Sequence, residues 1–376
     1  MVLRGSFRAL FLYDVADSIR VQDLRTISEV QAPERVPRFK HLTPDYVRFE
    51  RPPAVEPGGR VELPSGESWE AWIKYYEFGV VAIELERRFE CDWPELVEFA
   101  SRWIADAALE NCADGVAERV VKRAASALVR PYSGSWISED YSIVLLEKAG
   151  EPGLSNPGGA RAQAGAARTT AAELMASHGL EIAQIVRGEL APLSDGERHE
   201  ILQSNISYYP TVLLVAGWTA ALIYDTPEGA EPTIQLLEYA NTQLLEFRHY
   251  DNQLTRVLED VYRSMEKGTG FLSRWRLARD AERLNTLRLD VIELTERMDN
   301  SIKFLSDMFY ARLYRLASAK VGGPDYRNLV EQKLKTAGEL NQFMREQFHQ
   351  SRGFVLELMV VVILVIELFY LFRGKA

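Results

Sequence analysis

Cysteine is scarce in this 376-residue chain, and its scarcity excludes two kinds of stabilisation. Cys91 and Cys112 are the only two, too few for a framework of disulfides or for a cluster of thiolates around a structural metal ion. This usage fits a reducing compartment, where both side chains are expected to be small buried apolar groups rather than reactive thiols. The N-terminus also lacks the apolar stretch and cleavage site of a secretory signal, which predicts that the bulk of the chain starts and stays in the cytosol.

Positive charge is also in short supply. The chain has 44 Lys and Arg against 54 Asp and Glu, which gives a net charge of -10. Proteins that bind nucleic acid need a basic face to neutralise phosphates, so direct nucleic-acid binding is not expected. Glycine-rich phosphate loops, the G-x-S-x-G elbow and the H-E-x-x-H pair are all missing. The sequence therefore predicts no catalytic residue, no cofactor and no enzyme activity.

Histidine is rare, but two of the five residues follow a glutamate in the pattern E-x-x-H. Glu246 with His249, and Glu346 with His349, have the spacing that di-metal helical bundles use on facing helices. Both pairs lie off the apolar seams of their segments, whereas ligands of a buried metal site point inward. We therefore expect solvent-facing helix surfaces and no metal, and a metal-dependent enzyme is kept only as an alternative.

Residues 1–148 have the pattern of a small α+β domain. Strand-like pieces lie at 6–13, 71–78, 80–89 and 141–148, and the middle two form a hairpin hinged at Gly79. Helical patterns separate the first strand from the hairpin and the hairpin from the last strand. The order β-α-β-β-α-β predicts a ferredoxin-like domain.

Residues 149–170 are rich in Gly, Ala and Pro, which is typical of a linker or loop. The part that follows, 171–352, is predicted to be an all-α domain with long antiparallel, coiled-coil-like helices. Its apolar run 210–224 is too short to span a bilayer and is expected to form the centre of this helical domain.

Heptad spacing recurs in three segments, 237–261, 284–308 and 330–348. Each seam contains one polar residue: Asp251, Ser301 and Asn341 respectively. Such a residue either fixes the register of a coiled coil at some cost in stability or simply interrupts the seam, and the sequence does not distinguish the two.

A long apolar segment closes the chain. Gly353 to Phe372 is twenty residues, about 30 Å of helix, and fifteen of them are Leu, Ile, Val or Phe. This favours a single C-terminal transmembrane helix over a buried core helix. Glu357 and Glu367 then mark either an oligomer or partner interface, with Gly353 at its start, or two acids that reach water at the headgroups.

Four stretches in this order resemble the "required for meiotic nuclear division" family: KYYEFGVVAIEL, DTPE, LNTLRLDVIELTERMDN and LELMVVVILVIELFYLF. The resemblance extends from about Trp72 to Phe372. It implies an α+β N-terminal domain, a helical domain, a C-terminal membrane anchor and no established enzyme activity. Mitochondrial members of that family are inner-membrane assemblies that support organellar translation. The missing transit peptide favours a bacterial inner-membrane location here.

These observations lead to one functional hypothesis and one alternative. The hypothesis is a non-enzymatic, homo-oligomeric scaffold, tail-anchored in the bacterial inner membrane with the bulk of the chain cytoplasmic. It presents its α+β domain to a protein partner that the sequence does not name. The alternative is a subunit of an oligomeric channel or transport assembly, with Glu357 and Glu367 in the membrane interface.

Overall fold

The computed structural model describes residues 2–24, 53–104, 106–148, 169–266, 279, 282–292 and 308–373. The chain divides into two compact units. The α/β unit contains Met1–His249 and Arg297–Asp325, and the helical unit contains Tyr250–Glu296 and Tyr326–Ala376. Almost all of the predicted linker, 149–168, lies outside the described residues.

One large sheet forms the centre of the α/β unit. Its strands follow the order β3-β4-β5-β1-β7-β10-β9-β8, and β2 pairs separately with β6. Neighbours in the large sheet are antiparallel except for β7 and β10, which are parallel. The strands are β1 Leu3–Asp14, β2 Ala16–Ile19, β3 Ala54–Glu62, β4 Ser68–Tyr75, β5 Val80–Cys91, β6 Leu128–Pro131, β7 Ile137–Glu147, β8 Asn205–Ile206, β9 Leu213–Ala216 and β10 Ala220–Asp225.

The helices begin and end at recognisable signals. Thr170 and Glu173 form a capping box at the start of α4, and Gly188 ends that helix in the left-handed conformation. Ser194 caps α5. The helices are α1 Val21–Leu24, α2 Trp93–Ile104, α3 Ala107–Arg123, α4 Ala171–Arg187, α5 Asp195–Gln203, α6 Pro227–Glu266, α7 Met308–Lys320 and α8 Gly323–Arg373, and the segment 282–292 is also helical.

Side chains of β1 point alternately to the two faces of the sheet, and helices pack against both faces. Phe7, Phe11 and Tyr13 belong to the core that the sheet shares with α2, α3 and α4. Phe7 and Trp69 both meet Trp103 of α2 edge to face, at 5.2 and 5.3 Å between ring centroids. On the opposite face Leu12 packs against Leu245 of α6. The α/β unit is therefore a three-layer arrangement of helices, sheet and helix.

The predicted fold class was wrong. The expected strands exist, but they are the middle of an eight-stranded sheet that β8, β9 and β10 extend, so there is no separate ferredoxin-like domain followed by an all-α domain. The apolar run 210–224, predicted to be helical, forms β9 and β10. A short, continuously apolar run has no periodicity that separates a fully buried strand from a buried helix, so its pattern could not decide.

The predicted transmembrane helix at Gly353 to Phe372 was also wrong. Among the described residues, no helix combines the length and apolarity that a bilayer span needs. Between Glu357 and Glu367 the uninterrupted apolar run is nine residues, or about 14 Å of helix, less than half of a bilayer core. The membrane as a partner, the tail anchor and the bacterial inner-membrane location all depended on this span and are corrected with it.

The apolar positions of the first heptad seam are all buried, but in two environments. Leu237, Leu244 and Phe247 lie in the part of α6 that belongs to the α/β unit. Leu254, Leu258 and Val261 belong to the helical unit. Of the other two seams, the described buried positions are Leu284, Leu287, Val291, Val330 and Ala337.

Candidate functional site

Of the three polar residues predicted to lie in the heptad seams, only Asp251 has a side chain that the structure describes. Asp251 forms an ion pair with Lys333 of α8, with 2.6 Å between Oδ1 and Nζ. Lys333 also donates to Thr255, at 2.7 Å, so this pair ties α6 to α8 inside the helical unit. Ser301 lies outside the described residues, and so does the side chain of Asn341, whose backbone is part of α8.

The predicted interface residues Gly353, Glu357 and Glu367 all lie in α8. Glu367 is exposed, whereas the side chain of Glu357 is outside the described part. These residues lie in the C-terminal part of α8, where the described side chains from 359 to 369 are exposed.

A continuous stretch of α8 is apolar and exposed. Ten of the eleven residues from Met359 to Phe369 are large apolar side chains, and their exposed fractions lie between 47% for Val362 and 63% for Phe369. Exposure at consecutive positions means that all sides of the helix are uncovered. We call residues 359–369 the apolar end of α8. A contiguous exposed apolar surface of this kind marks an interaction site.

A second feature lies between the sheet and α6, where six charged side chains meet. We call this the sheet–helix charge cluster; it consists of Arg8 on β1, Lys74 on β4, Glu84 and Glu86 on β5, and Glu231 and Glu238 on α6. Lys74 Nζ lies 2.7 Å from Glu84 Oε2 and 2.6 Å from Glu238 Oε2. Arg8 Nη1 lies 3.0 Å from Glu84 Oε1 and 3.5 Å from Glu231 Oε2.

In this cluster, burial and the neighbouring charges shift the pKa values of the side chains in opposite directions. Burial alone favours neutral lysine, but Glu238 and Glu84 outweigh it and raise the pKa of Lys74. Burial likewise favours a neutral Glu84, yet Lys74 and Arg8 lower its pKa to about 2. For Glu238 burial dominates, and its pKa is raised. Glu84 thus holds its charge between two cations, while Glu238 takes up a proton more readily than Glu84.

A third feature joins α6 to the sheet about three helical turns beyond Glu238. His249 Nδ1 lies against Asp14 Oδ2 of β1, and its ring stacks on Tyr132 with 4.7 Å between centroids. The neighbouring Arg248 pairs with Glu139 of β7. Glu246 and His249 are both buried, so the prediction that this E-x-x-H pair faces solvent was wrong. The side chains of Glu346 and His349 lie outside the described residues.

No metal site emerges from the part of the chain that the structure describes. No group of three or more His, Cys, Asp and Glu residues in that part is placed to hold a metal ion. A cavity of about 30 Å³ lies beside β9, β10, α6 and α7, room for one or two water molecules. Its lining includes Tyr208, Tyr209, Asp225, Phe309 and Tyr310.

Sequence reasoning missed the sheet–helix charge cluster. Arg8, Lys74 and Glu84 are charged residues at alternate strand positions, a pattern that usually indicates a solvent-facing side of a sheet. In this protein α6 covers that side. The signal that could have shown it is the acidic pattern of α6, because Glu231 and Glu238 are seven residues apart and so share one helical face.

Comparisons with known proteins place the α/β unit in a family. Residues 4–231 match the family described as "Uncharacterized protein MJ0711, N-terminal domain", which is more than half of the chain. The uncharacterized protein MJ0711 of Methanocaldococcus jannaschii is 21% identical over 187 residues, which cover 50% of this chain and 57% of that relative. The alignment thus spans just over half the length of this relative. No solved structure matches. The chain belongs to the family defined by the N-terminal domain of MJ0711.

Proposed function

We propose that this protein is a non-enzymatic, homo-oligomeric scaffold, in which copies associate through the apolar end of α8 and thereby present several α/β units. The observation that carries the proposal is the exposure of the large apolar residues from Met359 to Phe369. An exposed apolar surface of this extent is stabilised when protein covers it, and copies of the same helix can supply that cover. The resemblance to the "required for meiotic nuclear division" family supports the same non-enzymatic role.

The occupant that fits this surface is a second copy of the same helix. The heptad frame of 330–348 continues in the sequence at Val355, Leu358, Val362, Val365, Phe369 and Phe372, with one break at Ser351. A frame that alternates steps of three and four residues is what helices need to pack lengthwise against identical helices. In this frame Val362 occupies position a and Val365 position d. Glu367 then falls at the outer position f, and Glu357 at the outer position c. Both glutamates can therefore stay in water while the seam is covered.

The flanking positions indicate a bundle of more than two helices. Position e is occupied by Met359 and Ile366, and position g by Val361 and Leu368. In a two-stranded coil these positions lie at the edge and are commonly charged. Apolar residues there widen the face that must be covered, which favours three or more copies.

The test is the mass of the full-length protein in solution, beside single glutamate substitutions. We expect the wild type to sediment as a multiple of its 42.7 kDa chain. Val362→Glu at position a and Val365→Glu at position d should each shift it toward the single chain, because three or more carboxylates, one from each copy, cannot share a dry seam.

Val360→Glu is the matched control. Val360 lies on the same helix and is 55% exposed, against 47% for Val362 and 59% for Val365, but it occupies the outer position f. It should keep the wild-type mass. The proposal is wrong if the wild type is a single chain, or if all three substitutions leave the mass of an oligomer unchanged.

A further inference from the structure

The cavity beside β9, β10, α6 and α7 has aromatic walls. Tyr208 and Tyr209 form its outer lining, where they are 44% and 37% exposed, and the buried side chains of Phe309 and Tyr310 line it further in. Between ring centroids, Tyr208 lies 4.9 Å from Phe309 at an interplanar angle of 70°. Phe309 lies 5.3 Å from Tyr310 at 75°. Rings at such steep angles form adjoining walls rather than a stack, so aromatic surface borders the cavity from more than one direction.

Asp225 is the one charged residue in the described lining of this cavity. It ends β10 and is 3% exposed. Its Oδ1 accepts from Thr226 N at 2.7 Å and lies 3.3 Å from Nζ of Lys148. Lys148 is not part of the described lining, so the walls of the cavity contribute a carboxylate and no positive side chain. A carboxylate and the negative faces of aromatic rings both favour a cation.

The first turn of α6 borders the same cavity at Gly229, and a helix start can bind anions through its N–H groups. In this helix those groups bond within the cap. Gly229 N donates to Thr226 Oγ1 at 3.1 Å, and Ala230 N donates to Thr226 O at 2.9 Å. An anion in the cavity would therefore meet the carboxylate of Asp225 without these donors, and the lining disfavours it.

The size of the cavity selects among cations. Its volume of about 30 Å³ accepts one or two water molecules, and an ammonium nitrogen with its first carbon has two non-hydrogen atoms. The buried apolar residues Leu213, Leu214 and Ile223 complete the lining and suit that carbon.

We propose that this cavity binds the protonated amino group of an alkylamine. The ammonium group is held by the aromatic rings and by Asp225, and the rest of the alkyl chain leaves past Tyr208 and Tyr209. Such a group belongs either to a free small amine or to the side chain of a lysine on another protein.

Saturation-transfer NMR on the full chain tests the site, with methylammonium as the probe and methanol as a neutral molecule with the same number of non-hydrogen atoms. We expect a dissociation constant of about 10 mM for methylammonium, the range that two such atoms can reach. Methanol should bind at least about tenfold more weakly, because it gains nothing from the carboxylate and little from the ring faces. Nα-acetyl-lysine amide distinguishes the two sources: tighter binding than methylammonium indicates a lysine side chain, and weaker binding a free amine.

Three substitutions locate the binding. Tyr209→Leu and Tyr310→Leu each remove one aromatic wall and should weaken methylammonium about threefold or more. Asp225→Asn keeps an oxygen for Thr226 N but removes the charge, and should weaken it about fivefold. Tyr262→Leu is the matched control for Tyr209→Leu, because Tyr262 is 47% exposed on α6 and is not part of the described lining.

The wild type can overturn the proposal by itself. It is wrong if neither amine receives saturation at concentrations well above the expected constant, or if methanol binds as tightly as methylammonium. Wild-type affinity in Tyr209→Leu and Asp225→Asn would place the binding elsewhere, and the outcome for these two holds even if Tyr310→Leu does not fold.

Discussion

Lys74 carries a positive charge into the interior of the α/β unit, with a carboxylate on each side. Its two contacts, at 2.7 Å to Glu84 and 2.6 Å to Glu238, replace the water that the ammonium group gives up on burial. Such an arrangement is stable only as a complete set, because each charge that remains after a partner is removed is left without water and without a counter-charge.

Removal of the lysine charge should therefore be costly. We expect Lys74→Met to lower the free energy of unfolding by about 3–5 kcal/mol, because two buried carboxylates then face each other. Lys122→Met is the matched control, since Lys122 forms an exposed pair with Glu118 and should cost less than about 1 kcal/mol. Urea unfolding of both variants measures the difference, and equal losses would show that the cluster is not specifically stabilised by Lys74.

Glu84 predicts how stability depends on pH. Its pKa is about 2 in the folded protein against an ordinary value of 4.5, so the unfolded chain takes up the proton first as the pH falls. The stability that Glu84 contributes is complete above about pH 4.5 and is lost as the pH falls toward about 2. Glu84→Gln should therefore show a shallower loss of unfolding free energy over this range. A slope as steep as that of the wild type would contradict this assignment.

At the scale of elements, the β4–β5 hairpin depends on one turn residue. Gly79 has φ +99°, and a Cβ there would lie 1.7 Å from Ala16 O. The turn is closed by Gly79 N donating to Tyr76 O and by Tyr76 N donating to Val80 O. Both the backbone angle and the close approach of the β1–β2 connection thus require glycine at this position.

A pair of alanine substitutions separates these two requirements. Gly66→Ala, at φ +82° with no atom within 4 Å, should cost about 1 kcal/mol from backbone strain alone. Gly79→Ala also places alanine at a positive φ and adds the collision with Ala16, so we expect a loss of about 3 kcal/mol or more. Thermal unfolding of the two variants gives the comparison, and equal losses would mean that the strand end at Ala16 moves aside freely.

The elements that could be predicted are those whose signals are local. The hairpin about Gly79 follows from two β-rich runs joined by a glycine, and Ser194 with Glu197 marks the start of α5. Residues 210–224 were wrongly predicted to be helical, because their environment decides their structure. In isolation LLVA and AALIYD fit a buried helix as well as a buried strand, and only the neighbouring edge of β7 selects the strand.

At the scale of the whole molecule, the apolar end of α8 could be predicted in part from the sequence. The apolar run from Met359 to Phe369 is obvious, but its interpretation depends on two acids. Insertion energies summed over Leu, Ile, Val and Phe favoured a membrane span, while the nine-residue interval between Glu357 and Glu367 argues for a shorter apolar surface. The sequence shows the acidic face of α6 but not what it meets, because the members of the sheet–helix charge cluster come from strands and a helix up to 230 residues apart.

The matched family segment and the structural units do not end together. The match stops at residue 231, in the first turns of α6, whereas the α/β unit extends to His249 and includes Arg297–Asp325. The helical unit lies wholly beyond the match. The proposed self-association surface is thus a feature of the part of this chain that the family model does not cover.

The parallel pairing of β7 with β10 also sets the order in which a nascent chain can fold. The outer edge of β7 is complete once Glu147 has been made, but its partner strand ends only at Asp225. At synthesis rates of about 5–20 residues per second, the edge waits roughly 4–16 s for β10. An unpaired strand edge invites pairing with other chains. During synthesis, the unpaired edge of β7 is therefore the part of this sheet that most needs protection by chaperones, until β10 has been made.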